Sequence, residues 1–163
     1  MKLTTKGRYA VTAMADLAAH GASGPVALSD ISLRQGISIS YLEQLFGKLR
    51  RAGLVESVRG AGGGYSLKNS PAMTRVADIV AAVDEQIQTT ACAPGASVGC
   101  TGTSARCLTH DLWDELGRQI ELFLNAVSLD DILAKRVAGM AAVHPPRARA
   151  ETRDKALHIE AAE

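Results

Sequence analysis

A glycine-rich run, Gly60-Ala-Gly-Gly-Gly64, constrains the fold of this chain more than any other stretch. Glycine weakens helices and adopts backbone conformations that other residues avoid, so this run favours a tight turn. The residues before it, 53–59, are interpreted as a strand, and residues 64–68 as the returning strand. The sequence therefore predicts a β-hairpin with a flexible glycine tip, preceded by an arginine.

Helical patterns precede this hairpin. Apolar residues recur at helical spacing over residues 5–20 and again over 38–51. Between them, Ser29 is expected to cap a short helix that Gly36 ends. Two short helices joined by a glycine-containing turn form a helix-turn-helix, and a following hairpin makes it a winged helix. The predicted fold class is mainly α with a small β-hairpin wing.

A long amphipathic helix is predicted after residue 109, with Thr109 as its cap. Its apolar stripe is too broad for one small domain to cover, which favours a dimerisation helix; a core helix packed within one subunit is the alternative. Ser128 and Asp131 resemble a capping box that opens a short return helix. The stripe consists of Leu112, Trp113, Leu116, Ile120, Phe123, Leu124 and Val127.

The chain divides into four parts on this interpretation. Residues 1–83, with an amphipathic segment at 74–83, form a winged-helix DNA-binding domain, and residues 84–108 form a cysteine-containing loop. The dimerisation helix and the return helix occupy residues 109–134. Residues 135–163 are poor in large apolar side chains and are predicted to be disordered.

Charge is distributed unevenly along the 163 residues. Residues 1–68 contain nine Lys/Arg and four Asp/Glu, while residues 69–163 contain nine Lys/Arg and thirteen Asp/Glu. A basic amino-terminal half is expected when that half meets a polyanion. No apolar run approaches the roughly 18 residues of a membrane span, and no signal sequence is recognisable, so a cytoplasmic location is expected.

An enzyme is not expected. The glycine run lacks the Lys-Ser/Thr that follows the glycines of a phosphate-binding loop, and no convincing nucleophile and base are paired.

All three cysteines lie in one short segment, and a histidine follows the last: Cys92, Cys100, Cys107 and His110. Three thiolates and an imidazole on a loop of small residues can surround a metal centre. The wide spacing lacks the tight knuckle of most zinc sites and favours an iron-sulfur cluster. Structural Cys3His zinc and redox-active thiols remain alternatives on spacing alone.

The chain resembles the IscR family of bacterial iron-sulfur cluster regulators in four motifs that occur in the same order. They are the opening Met-Lys-Leu-Thr-Thr-Lys-Gly-Arg, the run Ile-Ser-Ile-Ser-Tyr-Leu-Glu-Gln-Leu-Phe from residue 37, the wing Val-Arg-Gly-Ala-Gly-Gly-Gly-Tyr from residue 58 and Cys-Leu-Thr-His-Asp-Leu-Trp from residue 107. The resemblance implies a homodimeric winged-helix repressor and activator that controls cluster-assembly genes and receives its cluster from the assembly machinery. It also implies one 2Fe-2S cluster per subunit, with Cys92, Cys100, Cys107 and His110 as ligands.

One departure from that family concerns the cysteine intervals, which are longer than the five-residue gaps of enterobacterial relatives. Relatives that sense nitric oxide through a 4Fe-4S cluster share the wing and three cysteines. The Cys-Leu-Thr-His sequence, which adds a histidine beside the third cysteine, favours the 2Fe-2S cluster.

The helix over residues 38–51 is expected to enter the major groove of double-stranded DNA at a palindrome-like operator. Gln44 can pair with adenine, and Glu43 can accept from cytosine; a capping box between Ser40 and Glu43 is the alternative for the glutamate. Arg59 is expected in the minor groove. The predicted DNA-contacting residues are Ser38, Ser40, Tyr41, Glu43, Gln44, Lys48, Arg50, Arg51, Arg59 and Gly60, of which Lys48, Arg50 and Arg51 contact phosphates or are simply solvated.

Overall fold

The computed structural model describes residues 5–60, 62–84, 89 and 107–137, and over these residues the chain forms six α-helices and one two-stranded sheet. In chain order the elements are α1 (Thr5–His20), α2 (Leu28–Gln35), α3 (Ile39–Arg51), β1 (Val55–Val58), β2 (Gly64–Leu67), α4 (Val76–Ala82), α5 (His110–Ala126) and α6 (Leu129–Leu133). The predicted fold class, mainly α with a β-hairpin wing, is confirmed. No helix in this part of the chain is long and apolar enough to cross a bilayer.

The helix ends agree with the sequence in most places. Gly36 ends α2 in the left-handed conformation, with φ of 66°, as expected of a glycine at that position. Ser128 and Asp131 form the predicted capping box at α6, where the Asp131 amide donates to Ser128 Oγ at 3.2 Å and the Ser128 amide donates to Asp131 Oδ2 at 3.0 Å. Thr109 occupies the cap position of α5 but makes no side-chain capping bond.

The predicted cap of α2 is wrong. Ser29 lies inside the helix, and Ala27 occupies the cap position in an extended conformation. The reason is the residue before it: Val26 pairs with Tyr65 of β2 through two backbone hydrogen bonds of 2.8 and 2.9 Å. The chain therefore stays extended through Ala27 and can begin its helix only at Leu28.

The hydrophobic core lies where α1, α2, α3 and α4 meet. Side chains from all four helices, from β1 and from α6 are fully or almost fully buried together. Phe46 of α3 is the largest of them and also packs against the Tyr65 ring, with 4.8 Å between the centroids. The core residues are Ala10, Ala13, Met14, Leu17, Val26, Ile31, Ile37, Leu42, Leu45, Phe46, Leu49, Val55, Ile79, Val83 and Leu129.

The wing is an antiparallel hairpin in which Val58 of β1 faces Gly64 of β2. Gly64 has no room for a side chain, because a Cβ there would collide with the carbonyl of Val26. A Cβ on Gly63 would lie 2.5 Å from the carbonyl oxygen of Val58. Two glycines at the tip are thus required by close backbone approach, and the wing is joined to the start of α2.

Helix α5 is attached to the rest of the chain mainly near its end. Val127 packs with Val76 and Val80 of α4, and Phe123 lies against this small second cluster. Among the residues of α5 itself, only His110 and Gly117 are buried. Of the predicted apolar stripe, Leu112 and Trp113 are 62% and 44% exposed, Val127 is buried and the other four residues are half-buried; Leu122, which lies outside the stripe, is 52% exposed.

Residues 135–163 are predicted to be disordered. Those beyond Val137 lie outside the described part of the chain.

A buried carboxylate joins α1 to α2. The Asp16 side chain is completely buried and accepts two bonds from Arg34 Nε, at 3.1 and 3.0 Å, and one from Arg34 Nη2 at 2.6 Å. Gln35 Nε2 donates to the same carboxylate at 2.6 Å. Burial acts to raise the pKa of Asp16, but the hydrogen bonds from Arg34 and Gln35 outweigh it and lower that pKa below 3.8.

We expect Asp16→Asn to destabilise the fold by on the order of 3 kcal/mol near neutral pH, because it leaves Arg34 without its carboxylate. Since the folded-state pKa is depressed, the wild-type contribution is complete above the ordinary value of 3.8 and is lost as pH falls through the lower folded value. Urea unfolding at a series of pH values measures the free energy of unfolding and its dependence on pH. Glu56→Gln, at an exposed position on β1, is the control; an identical acid dependence in wild type and Asp16→Asn would contradict the prediction.

Candidate DNA-binding face and cysteine site

Helix α3 has one buried face and one outward face. Leu42, Leu45, Phe46 and Leu49 fill the core. Ser40, Glu43 and Gln44 are exposed on the opposite side, and Ser38 occupies the cap position just before the helix. The polar residues predicted to read bases therefore lie together at the leading end of α3, as a recognition helix requires.

The capping alternative for Glu43 is wrong. Ser38, in an extended conformation, is the cap residue of α3, which places Ser40 inside the first turn. The helix start shows no side-chain capping bond. The Glu43 carboxylate is exposed and is not engaged in a capping box with Ser40.

Tyr41 differs from its neighbours because it is half-buried. Its ring meets the ring of Tyr9 edge-on, with centroids 5.9 Å apart and planes at 84°. Part of this predicted DNA-contacting residue thus packs α3 against α1, an arrangement that is favourable for aromatic pairs.

The wing carries Arg59 and Gly60 immediately after β1, and both are exposed. The contacts between the hairpin and α3 include the Phe46–Tyr65 ring pair and a 3.3 Å hydrogen bond from Arg50 Nη1 to Ser57 Oγ. The two strands of the wing consequently pack directly against the recognition helix.

The cysteine site is described only in part. Cys107 lies half-buried just before α5, and His110, which is 8% exposed, is the first residue of that helix. The His110 amide donates to the Cys107 carbonyl at 3.0 Å, and Cys107 Sγ lies 3.6 Å from Thr109 Oγ1. Cys92 and Cys100 fall outside the described residues, within which no three His, Cys, Asp or Glu side chains form a metal-binding group.

The donor chemistry at this turn is compatible with a soft metal centre. A thiol and an imidazole stand three residues apart at a helix start, and a hydrogen bond closes the backbone turn between them. Sulfur and imidazole nitrogen are ligands of both zinc and iron-sulfur clusters. Cys107 and His110 thus form half of the predicted ligand set.

Comparison with known proteins decides the family. A family model described as Rrf2, iron-dependent transcriptional regulator, matches residues 3–135. The chain belongs to the Rrf2 family. Over 133 residues it is 56% identical to the HTH-type transcriptional regulator IscR of Aliivibrio salmonicida, a match that covers 82% of this chain and 77% of that protein.

Solved structures of Rrf2 regulators have the same fold. IscR of T. potens superposes with a TM-score of 0.68 at 40% identity, covering 83% of this chain and 88% of that one. CymR, the global cysteine regulator of B. subtilis, superposes with a TM-score of 0.70 at 32% identity, covering 83% and 98%. The chain is therefore an IscR-like DNA-binding transcriptional regulator with a winged-helix fold, and its named relatives are regulators and not enzymes.

In this Rrf2 protein the three basic residues of α3 make different contacts. Arg50 donates to Ser57, as described above, and Arg51 Nε donates to the carbonyl of Gly47 at 3.1 Å. Lys48 Nζ pairs with Asp84 Oδ2 at 2.5 Å. The hydrogen bond from Lys48 lowers the pKa of Asp84, so the carboxylate stays charged and competes with any phosphate for this lysine.

Asp84 is a candidate functional residue that the sequence patterns did not indicate. It follows α4, adopts a positive φ of 55° and is the first residue of the predicted cysteine-containing loop, residues 84–108. Its partner lies 36 positions away, and a helical periodicity cannot report a contact at that distance. The pair connects the recognition helix to the start of the segment that carries the cysteines.

We expect Asp84→Asn to strengthen DNA binding a few-fold and to steepen the dependence of log K on log salt by about 1, because Lys48 becomes available to a phosphate. Asparagine tolerates the positive φ and preserves the backbone. Binding to a fixed duplex over a salt series measures the effect.

Asp78→Asn is the matched control, since it removes the same charge from an exposed position of α4. Equal changes in the two variants would assign the effect to net charge and contradict a specific role for Asp84.

Proposed function

We propose that this protein is a homodimeric transcription regulator that senses iron-sulfur cluster status through one 2Fe-2S cluster per subunit and controls cluster-assembly genes. The observation that carries the proposal is the thiol of Cys107 and the imidazole of His110 on one turn at the start of α5. Cys92 and Cys100 would complete the ligand set. The high identity to proteins named IscR supports the same assignment.

The ligand set determines what the protein contributes to the cluster. A bound 2Fe-2S cluster supplies a redox-active and oxygen-sensitive group whose occupancy depends on the supply of clusters from the assembly machinery. Replacing one thiolate by the neutral imidazole of His110 makes the site less negative than four cysteines would, which favours a higher reduction potential.

Exposed apolar residues on α5 support the homodimer. Leu112 is 62% exposed and Leu122 52%, although both belong to a long amphipathic helix. A winged-helix regulator of a palindrome-like operator needs a two-fold partner, and a second copy of α5 would cover this surface. The two recognition helices would then be spaced by the dimer interface.

The contact between α3 and the wing supports a two-groove mode of DNA binding. The leading end of α3 presents Glu43 and Gln44 for the major groove, where glutamate accepts from cytosine and glutamine pairs with adenine. Arg59, exposed immediately after β1, would enter the minor groove. Glu43 also repels most other base edges, so it discriminates among operators by exclusion as well as by attraction.

Coupling between the cluster and DNA requires the cluster to favour one of two protein states. The Lys48–Asp84 pair is one contact through which such a preference can act, because its lysine belongs to α3 and its aspartate precedes the cysteine segment. We propose that cluster binding orders the segment and the start of α5, and that this changes the placement or freedom of the recognition helices.

We expect Cys107→Ala to abolish cluster binding yet leave a folded dimer, because the core of the winged helix does not include this residue. Iron and sulfide analysis after anaerobic purification, together with sedimentation, measures both properties. Thr109→Ala is the control, since it removes the hydroxyl beside Cys107 but no proposed ligand. A wild type that contains zinc, combined with an unfolded Cys107→Ala, would favour a structural Cys3His site instead.

We expect Arg59→Ala to weaken operator binding by about tenfold, within the roughly 1–3 kcal/mol of a specific arginine contact. Titration of a labelled operator at several salt concentrations measures the affinity. Lys68→Ala removes the same charge just after β2 and should have a smaller effect. Unchanged affinity of Arg59→Ala across the salt series would refute the placement of the wing.

A further inference from the structure

The starts of α4 and α6 are joined by a short antiparallel bridge. The Val76 amide donates to the carbonyl of Val127 at 3.0 Å, and the Leu129 amide donates to the carbonyl of Thr74 at 3.0 Å. Val76 and Leu129 are the first residues of their helices. The first amides of a helix have no acceptor within that helix. Each of these two helix starts therefore takes an acceptor from the segment that precedes the other helix.

The end of α5 belongs to the same contact. Arg75 Nη1 donates to the carbonyl of Ala126, the last residue of α5, at 3.2 Å. The last carbonyls of a helix lack donors within the helix and carry a partial negative charge, so a guanidinium stabilises this end. Residues 74–76 and 126–129 thus form a joint that connects α4, α5 and α6.

The joint is packed as well as hydrogen-bonded. Thr74, Val127, Ser128 and Leu129 are 3% exposed or less, and Val76 is 6% exposed. Buried backbone groups need partners, so breaking either bond of the bridge would leave a donor and an acceptor unpaired. Helix α4 also contributes side chains to the main core. The joint therefore holds the end of α5 in one direction relative to the winged-helix domain.

We propose that this joint determines which separation of DNA half-sites the regulator prefers, with Arg75 as a positioning residue. The inference rests on the proposed function, because it requires a homodimer formed through α5. A palindrome-like operator consists of two half-sites, one for each recognition helix. In such a dimer, the direction of α5 relative to α4 sets the distance of each recognition helix from the two-fold axis.

The length of α5 makes the angle at the joint important. Exposed Leu112, near the start of α5, lies fourteen positions before Ala126, which is about 21 Å along the helix axis. A rotation of about 10° at the joint would move the winged-helix domain by about 4 Å relative to a partner held at Leu112. Successive base pairs of B-DNA are about 3.4 Å apart. A small rotation is thus enough to change the preferred separation by one base pair.

Val76→Pro removes one bond of the joint without obstructing α4. Proline has no amide hydrogen, so the bond to Val127 is lost, yet proline is favourable as the first residue of a helix. Arg75, with φ of −87° and ψ of 147°, already has the extended conformation that a residue before proline requires. Val76→Ala is the matched control, because it shortens the same buried side chain and keeps the amide.

Arg75→Met tests the joint through a side chain. It keeps an unbranched apolar chain but removes the donor to Ala126. Arg136→Met is the charge control, because it removes the same charge from a side chain that pairs with Asp130 and Asp131 of α6.

The measurement is binding of the full chain to an operator that the wild type selects from a random-sequence library. The separation of its half-sites is then changed one base pair at a time, and a duplex with a single half-site is the reference. Val76→Pro should lower the preference for the selected separation about fivefold, because a dimer gains affinity from two half-sites only when its geometry matches their span. Arg75→Met should lower this preference less, since both backbone bonds remain.

All variants should bind the single half-site as the wild type does, and the two controls should keep the wild-type spacing preference. An unchanged preference in Val76→Pro and Arg75→Met, in proteins that sediment as dimers, would overturn the role of the joint alone. An equal loss of affinity for the single half-site would also overturn it, since the defect would then lie in the recognition helix. If Val76→Pro does not fold, Arg75→Met decides between these results.

The proposed function fails in a different way. A wild type that sediments as a monomer and shows no spacing preference would refute the homodimer and, with it, the role of the joint in spacing.

Discussion

Burial of one face of α3 is the constraint on which the rest of this structure depends. Leu42, Leu45, Phe46 and Leu49 occupy the core, and each contributes on the order of 2 kcal/mol by leaving water. Because these positions recur at helical spacing, the remaining positions must face outward. The same residues that stabilise the domain therefore determine which polar side chains can reach DNA.

Phe46 extends this constraint to the wing. Its ring packs against Tyr65, whose backbone in turn pairs with Val26 ahead of α2. The hairpin is thereby connected to both helices of the helix-turn-helix, and Gly64 permits the approach because it has no side chain. A two-stranded hairpin is marginal by itself, so its geometry depends on this attachment. Loss of core packing around Phe46 would change the wing and the recognition helix together.

The sequence predicted what local patterns encode. The bounds of α1, the end of α2 at Gly36, the hairpin and the capping box at Ser128 all follow from periodicity or from the conformations of single residues. What it could not predict were contacts between distant residues. The Lys48–Asp84 pair joins residues 36 positions apart, and the contact between Thr89 and Gly117 joins residues 28 positions apart. Neither contact produces a periodic pattern in the sequence.

The wrong prediction of Ser29 as a helix cap also results from a contact between distant residues. A local preference for serine at a helix start was outweighed by the pairing of Val26 with β2, which keeps the chain extended. Within the candidate site, the outward residues of α3 could be foreseen from periodicity. The contacts of Lys48 with Asp84 and of Tyr41 with Tyr9 could not be foreseen, because Asp84 follows α4 and Tyr9 belongs to α1.

The proposed metal site and the proposed contact with a second subunit would use different faces of α5. At about 100° per residue, Gly117 lies within about 20° of His110 around the axis, whereas Leu112 lies about 200° away. Gly117 of this buried pair faces Thr89, and exposed Leu112 lies on the other side of the helix. A partner helix could therefore cover Leu112 without displacing Thr89. Under the proposed function, ordering the first turns of α5 around Cys107 and His110 would restrict both faces, so the state of the proposed metal site would reach the proposed dimer interface through one continuous helix.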